Sequence, residues 1–197
     1  NGRALVDKNT LKNGSGIGLQ MIFQNPASAL DPRQKISDAI AEAPVAHGLV
    51  HRSEAREFAL RALKSVGLGE DALERFPHEF SGGQRQRICI ARALAVDPRV
   101  VVCDEAVASL DVSIQAQIIN LFLDLKQELN LSYLFISHDI SVVEHVADRI
   151  AVMYLGQIVE IGETKELLEN PQHPYTKALL AEVPTLDTTL SEEHVLR

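Results

Sequence analysis

The feature that most constrains the fold is a short apolar segment, Val100 to Cys103, that ends in two adjacent acidic residues, Asp104 and Glu105. A continuous run of mainly β-branched residues is typical of a central strand in a parallel sheet, covered on both faces. Parallel strands require crossover connections, which are usually helices. The segment therefore predicts an α/β protein with a largely parallel sheet, in which both carboxylates emerge at the carboxyl edge.

Apolar runs and helical patterns alternate along the rest of the chain, as this fold class requires. Leu19–Phe23 and Tyr133–Ile136 predict two further strands, and the residues around Gly156 predict a hairpin. We expect Thr164 to cap a short helix after the hairpin. The chain is predicted to have four parts. Residues 1–36 form a partial N-terminal section of the core, and residues 37–96 form a mainly helical subdomain. Residues 97–163 form the central part of the core, and residues 164–197 form a C-terminal helical extension.

The composition is that of an ordinary globular chain, since 46% of the 197 residues are hydrophobic and 23% are charged. A net charge of −8 argues against a nucleic-acid partner, because such proteins neutralise phosphates with basic surfaces. No apolar run is long enough to span a membrane, and the start of the chain has no signal-peptide pattern. Cys89 and Cys103 lie in apolar runs without metal-ligand spacing, which favours buried thiols in a reducing compartment, the cytoplasm.

A second cluster lies at the predicted start of a helix, where Ser81, Gly82 and Gly83 precede Gln84. Backbone N–H groups at a helix N-terminus lack partners within the helix and attract anions. Two glycines allow a phosphate to approach the backbone closely, and the Ser81 hydroxyl and the Gln84 amide add donors. The alternative is a serine N-cap followed by a flexible turn, with no ligand.

Polar residues also follow the predicted strands at one edge of the sheet. Asp104 can position a magnesium ion, and Glu105 can orient and deprotonate an attacking water. His138 follows the strand at Tyr133–Ile136 and can contact a terminal phosphate oxygen, while Gln24 follows the first strand and can contact metal or water. Alternatively, the acidic pair caps the next turn and the histidine is structural. Together with the glycine-opened helix, these residues favour nucleotide hydrolysis.

One element of a nucleotide site is absent from the sequence. The phosphate-binding loop GxxxxGK[ST] needs a lysine directly after a glycine, and no Gly-Lys pair occurs. The glycine-rich segment Asn13–Gly18 lacks this lysine and precedes a strand, so we interpret it as a turn. Since the chain also begins without a methionine, we expect it to start inside a longer reading frame.

Taken in order, these motifs resemble those of the ATP-binding subunits of ABC transporters, over essentially the whole chain. Phe80–Arg87 resembles the signature motif, Val100–Glu105 the Walker B strand, and Ser109–Asp111 the D-loop. Gln24 and His138 resemble the Q-loop glutamine and the switch histidine. The resemblance implies a P-loop NTPase-like (RecA-like), mostly parallel core with an inserted helical subdomain. It also implies an N-terminal truncation, with the Walker A loop and its lysine upstream of Asn1.

The resemblance also implies ATP and Mg²⁺ as cofactors and roles for the residues named above. Asp104 would organise magnesium together with Gln24, Glu105 would polarise the attacking water and His138 would hold the γ-phosphate. Two subunits would face each other head to tail, with ATP between the Walker A loop of one and the signature motif of the other. The residues that would contact ATP are Ser81, Gly82, Gly83, Gln84, Gln24 and Asp111.

Within the family, Asn25–Arg33 and Asn170–Leu179 resemble the peptide importers, and Tyr154–Gly162 resembles the glutathione type. This implies membrane permease subunits and a periplasmic or surface solute-binding protein as partners, and a place at the cytoplasmic face of the membrane. One alternative is a truncated or degenerate subunit that contributes only the signature face. Another is a soluble ABC-type ATPase of DNA repair or translation, for which a coiled-coil insertion or a basic arm is expected and not found.

Overall fold

The computed structural model describes residues 18–181, and these form two compact units that divide after His138. The first unit holds a parallel sheet with its helices, and the second holds an antiparallel hairpin with short helices. The predicted turn at Asn13–Gly18 lies outside the described residues except for its last glycine. No helix in the range 18–181 is long and apolar enough to cross a membrane.

Three parallel strands form the sheet of the first unit: β1 (Leu19–Ile22), β2 (Val100–Asp104) and β3 (Ser132–Ile136). β2 lies in the centre, with Met21 of β1 and Leu134 of β3 on either side of Val102. Crossovers that contain helices join the strands, as parallel pairing requires. The α/β fold with a parallel sheet, which the apolar run of β2 predicts, is confirmed.

The described part of the first unit contains five helices: α1 (Pro26–Ala29), α2 (Ile36–Ala46), α3 (Ala55–Ser65), α4 (Gly82–Leu94) and α5 (Val112–Leu129). Single 3-10 turns lie at Arg52–Glu54, Glu70–Ala72 and Pro77–Glu79. The connection between β1 and β2 is therefore largely helical, as its sequence predicts.

One face of the sheet is covered by α5. Ile118, Phe122 and Leu125 of this helix are buried. The ring of Phe122 packs edge-on against Tyr133 and Phe135 of β3, with 5.4 and 5.2 Å between ring centroids. Because aromatic pairs in this geometry bury a large apolar area, the cluster holds α5 on the sheet.

The opposite face of the sheet is more open than the sequence predicts. Val101 and Cys103 are fully buried, whereas Val102 is half-buried, and its neighbours Met21 and Leu134 are 41% and 56% exposed. Within residues 18–181, β2 is therefore fully covered on one face and partly covered on the other. A short apolar run cannot show which face is covered, because that depends on elements distant in the sequence.

The second unit is built from α6 (Ile140–Val146), β4 (Arg149–Tyr154), β5 (Gln157–Glu163), α7 (Thr164–Glu169) and α8 (Pro174–Ala181). β4 and β5 pair in antiparallel fashion, which confirms the predicted hairpin. Leu155 and Gly156 form its turn with φ angles of 49° and 79°. Positive φ at both central positions is the signature of a type I′ turn, whose twist suits a hairpin.

Thr164 does not cap α7, contrary to the sequence prediction. Glu163 occupies the cap position, and Thr164 Oγ1 donates a hydrogen bond of 2.6 Å to the carbonyl oxygen of Ala147, the residue after α6. The hydroxyl therefore ties the beginning of α7 to the end of α6. The prediction was wrong because the Thr164 hydroxyl bonds to a carbonyl oxygen distant in sequence and therefore does not make the local capping bond.

The chain between α7 and α8 is held by Glu160 of β5. Its carboxylate accepts hydrogen bonds from the amides of Gln172 at 2.7 Å and His173 at 3.0 Å. The Thr176 hydroxyl and these amides keep the pKa of Glu160 below its ordinary value. A single ionised side chain thus anchors the beginning of α8 to the hairpin.

Candidate functional site

The start of α4 is a fully capped helix N-terminus. Ser81 Oγ accepts a hydrogen bond from the amide of Gln84 at 3.3 Å, and Gln84 Oε1 accepts one from the amide of Ser81 at 3.0 Å. This capping box is the serine-cap alternative that the sequence left open. It does not exclude an anion, because the Ser81 O–H, the Gln84 NH₂ and the amides of Gly82 and Gly83 are still donors.

Gly83 has a packing role that the sequence interpretation missed. A Cβ atom at this position would lie 2.5 Å from Cγ2 of Ile114, which belongs to α5. At Gly82 a Cβ atom would meet only Cδ2 of Leu110, at an ordinary 3.7 Å. The second glycine therefore lets α4 and α5 approach closely, whatever it also offers to a ligand. A glycine pair alone carries no signal that separates these two roles.

Asp111 serves as the N-cap of α5. Its Oδ1 accepts hydrogen bonds from the amide of Ile114 at 3.0 Å and from the Ser113 hydroxyl at 2.9 Å. The hydrogen bond from the Ile114 amide contributes most, and that from Ser113 next, to holding the pKa of the Asp111 carboxyl below its ordinary value. Because α4 and α5 begin side by side at the Gly83–Ile114 contact, their two positive helix ends lie close together.

Glu105, Gln24 and His138 come together at the carboxyl edge of the sheet. The Gln24 Nε2 group donates a hydrogen bond to one carboxylate oxygen of Glu105. The other oxygen lies 3.0 Å from Nδ1 of His138. The proximity expected from the ends of three parallel strands is therefore present in the structure. None of the hydrogen bonds described between residues 18 and 181 links this trio to Ser81 or Gln84.

The backbone of Glu105 adopts a left-handed conformation, with a φ of 46°. Its amide extends the ladder of β2 by bonding the carbonyl oxygen of Ile136 at 2.9 Å, and its carbonyl oxygen accepts from the amide of Ala108 at 3.0 Å. A non-glycine residue in this region stores about 1–3 kcal/mol of strain, and such residues cluster at functional sites. Strand pairing on one side and a tight turn on the other hold the carboxylate in place.

Asp104 is half-buried at the last position of β2, one residue before Glu105. The hydrogen bond from Gln24 to Glu105 uses only the amide nitrogen of Gln24, so its carbonyl oxygen is left for a cation. A carboxylate and an amide oxygen are donors that Mg²⁺ prefers, and this ion needs few protein ligands because it keeps several waters. The donor set therefore fits magnesium, although residues 18–181 hold no cluster of three or more acidic, histidine or cysteine side chains.

Both cysteines are buried free thiols, as predicted. Burial raises the pKa of Cys89 to about 11 and raises the pKa of Cys103 as well. The thiolate is the form that binds metals and attacks electrophiles, so neither residue is suited to chemistry. Their contribution is to packing around α4 and β2.

Models of two protein families match the chain. The model described as ABC transporter matches residues 1–108, and the model described as oligopeptide/dipeptide transporter, C-terminal region, matches residues 159–197. The second match covers β5 from its third residue onward, together with α7 and α8.

Curated relatives include the glutathione import ATP-binding protein GsiA of Escherichia coli O6:H1, which is 58% identical over 169 residues. GsiA of Shigella boydii serotype 4 is 57% identical over the same length. Each alignment covers 86% of this chain and 27% of the relative. The chain thus spans about a quarter of the length of these relatives.

A solved structure has the same fold. It is cbiO1 from Clostridium perfringens, described as part of the ABC transporter complex cbiONQ. The superposition gives a TM-score of 0.71 at 27% sequence identity and covers 84% of this chain and 64% of the other. With a family model that matches more than half of its residues, the chain belongs to the ABC transporter family.

Proposed function

We propose that this chain is the catalytic part of an ATP-hydrolysing subunit that powers an ABC-type importer of peptides or glutathione. The observation that carries the proposal is the contact of Glu105 with both Gln24 and His138. A carboxylate, an amide and an imidazole that converge on one point can orient and deprotonate a water molecule beside a phosphate.

Glu105 is the proposed general base, and His138 is its partner. An ionised carboxylate only accepts hydrogen bonds, so the Nδ1 atom that faces Glu105 carries a proton. This leaves Nε2 of His138 for the nucleotide. His138 is therefore proposed to bridge Glu105 and the terminal phosphate.

The remaining residues are proposed to bind the nucleotide and its metal. Asp104 and the carbonyl oxygen of Gln24 are the proposed magnesium ligands, and the ion when bound neutralises charge on the phosphates. The start of α4 would contact the nucleotide held by a second copy or homologue of the subunit, and Asp111 would lie at the same interface. The proposed contact group is Ser81, Gly82, Gly83, Gln84 and Asp111.

The proposed substrate and partners are supported by the relatives of this chain. Glutathione import proteins share 57–58% identity with this chain, and its C-terminal part matches a model of oligopeptide and dipeptide transporters. The similar cbiO1 chain is part of a transporter complex. We therefore propose permease subunits as direct partners, a solute-binding protein as an indirect one, and a peripheral position at the cytoplasmic face of the membrane. Residues 37–96 are the proposed helical subdomain.

The proposal is tested by Glu105→Gln in the full-length protein. Loss of a general base lowers kcat by about 10²–10⁴-fold. ATP binding is retained, because the amide keeps the shape of the side chain. Glu128→Gln, at an exposed position of α5, is the matched control and leaves both quantities unchanged. Steady-state hydrolysis that is unchanged in Glu105→Gln would refute the role of this carboxylate.

A further inference from the structure

The short helix α1 directly follows Gln24, and α4 holds its far end. Arg92 of α4 donates a hydrogen bond of 2.6 Å from Nη1 to the carbonyl oxygen of Ala29, 63 positions earlier in the chain. One turn earlier on α4, the Cys89 thiol lies 3.8 Å from the carbonyl oxygen of Pro26. Two successive turns of α4 thus contact both ends of α1.

α1 is stiff within itself but cannot determine its own position. The Asn25 side chain caps it by accepting from the amide of Ala27 at 3.0 Å, and the Ser28 hydroxyl donates to the carbonyl oxygen of Asn25 at 2.9 Å. With four residues, however, the helix is far shorter than helices that are stable alone. Its orientation is therefore set by what it is bound to, and Gln24 is the residue immediately before its cap.

The contact between Arg92 and Ala29 lies between the buried side chain of Leu30 and a cavity of about 260 Å³. The cavity is lined by residues of β1, α1, α2 and α4, among them Arg92, Ala29 and Glu42. A charge-assisted bond from a guanidinium is among the stronger hydrogen bonds in proteins. Because the cavity leaves one side of this contact without apolar packing, the bond from Arg92 holds the end of α1 together with the buried Leu30.

We propose that Arg92 is a positioning residue for Gln24: by fixing the C-terminal end of α1 on α4, it keeps the Gln24 amide within hydrogen-bond reach of Glu105. Arg92 touches neither of these side chains and acts through α1 alone. The inference rests on the proposed ATPase function and adds to it a physical link between the helix that begins at Ser81 and the carboxylate at the end of β2.

A double-mutant cycle tests this link. In the intact subunit at saturating ATP, Arg92→Ala lowers kcat by about 10- to 100-fold, the cost of a misplaced catalytic group. The KM for ATP rises by less than kcat falls, because the bound nucleotide loses only the contact that Gln24 makes through magnesium. In a Gln24→Ala background, Arg92→Ala has no further effect on kcat, since there is no amide left to position. Arg92→Lys, which keeps a cationic donor, recovers part of the rate.

Arg87 supplies the matched control. It also lies on α4, and its guanidinium also donates to a backbone carbonyl, that of Val66, at 2.8 Å. Arg87→Ala removes a similar bond from a different side of the helix. Whatever its effect on kcat, that effect is the same with and without Gln24. Equal effects of Arg92→Ala in the two backgrounds would therefore overturn the proposal.

A second readout does not depend on activity. The side-chain amide resonance of Gln24, assigned by its loss in Gln24→Ala, shifts towards that of a solvated glutamine in Arg92→Ala and not in Arg87→Ala. If the wild-type subunit hydrolyses no ATP, the proposed function is wrong, and this resonance alone decides the positioning role. A Gln24 resonance unchanged by Arg92→Ala, in a variant that unfolds cooperatively, refutes the inference.

Discussion

Gly83→Ala is the substitution for which the structure gives the sharpest stability prediction. The added methyl group would lie 2.5 Å from Ile114 Cγ2, and an ordinary contact begins at 3.4 Å. The two groups must therefore separate by about 0.9 Å. Cγ2 is attached directly to the branched Cβ of Ile114, so no rotation about an outer bond moves it away. The space must come from displacement of α4 relative to α5.

The magnitude follows from two opposing terms. Overpacking of this kind costs about 1–3 kcal/mol. Replacement of glycine by alanine returns about 0.4–1 kcal/mol, because the unfolded chain loses freedom. The first term is larger, and we expect Gly83→Ala to lower the free energy of unfolding by about 1–2 kcal/mol. Gly82→Ala has only the favourable term, since its methyl group meets Leu110 at 3.7 Å. It raises the free energy of unfolding by a few tenths to about 1 kcal/mol.

Urea denaturation of the two variants and the wild type measures this difference. The midpoints move in opposite directions while the slopes stay equal, because the surface exposed on unfolding is unchanged. Ile114→Ala removes Cγ2 and is the internal check: in that background Gly83→Ala is no longer destabilising. If Gly83→Ala is as stable as Gly82→Ala, the close approach of α4 and α5 at this glycine is not what constrains the residue.

Two further predictions concern titratable groups away from the catalytic edge. Burial raises the pKa of Cys89 to about 11 and also raises the pKa of Cys103. An aromatic disulfide reagent at mildly alkaline pH therefore labels neither thiol in the native chain and both thiols after denaturation. Rapid labelling of the native chain would contradict their burial. The Thr176 hydroxyl and the Gln172 amide hold the folded-state pKa of Glu160 below its ordinary value, so its contribution to stability is full above the ordinary pKa and disappears as the pH falls through the lowered one. Thermal unfolding of Glu160→Gln should therefore show a deficit at neutral pH that vanishes in acid, and a deficit independent of pH would argue against the ionised anchor.

The edge that carries the candidate site could be predicted from sequence because of a general property of parallel sheets. Apolar runs identified β1, β2 and β3, and polar residues directly after such runs must emerge at the same edge. Gln24, Glu105 and His138 satisfy this rule, and the structure brings them into hydrogen-bond contact. The same reasoning could not reveal the left-handed backbone of Glu105, since no residue pattern marks it in advance.

Local capping was predicted less reliably. For Ser81 the sequence left open a phosphate contact or a simple N-cap, and the structure shows a cap that forms a box with Gln84. Thr164 has a similar local appearance but bonds to Ala147 instead. Both outcomes are consistent with the chemistry of a hydroxyl group. The choice between them depends on whether folding brings a better acceptor near, which the neighbouring residues do not encode.

By itself, the sequence determined the fold class, the order of the motifs and the edge at which the catalytic candidates meet. These features depend on hydrophobic periodicity and on the direction of strands, which are local properties of the chain. Only the tertiary structure decided which face of β2 is covered, why Gly83 must be small and how Arg92 reaches Ala29. These features join residues up to 63 positions apart through the packing of one element on another. Close packing depends on the shapes of both partners at once, so neither segment alone contains the information.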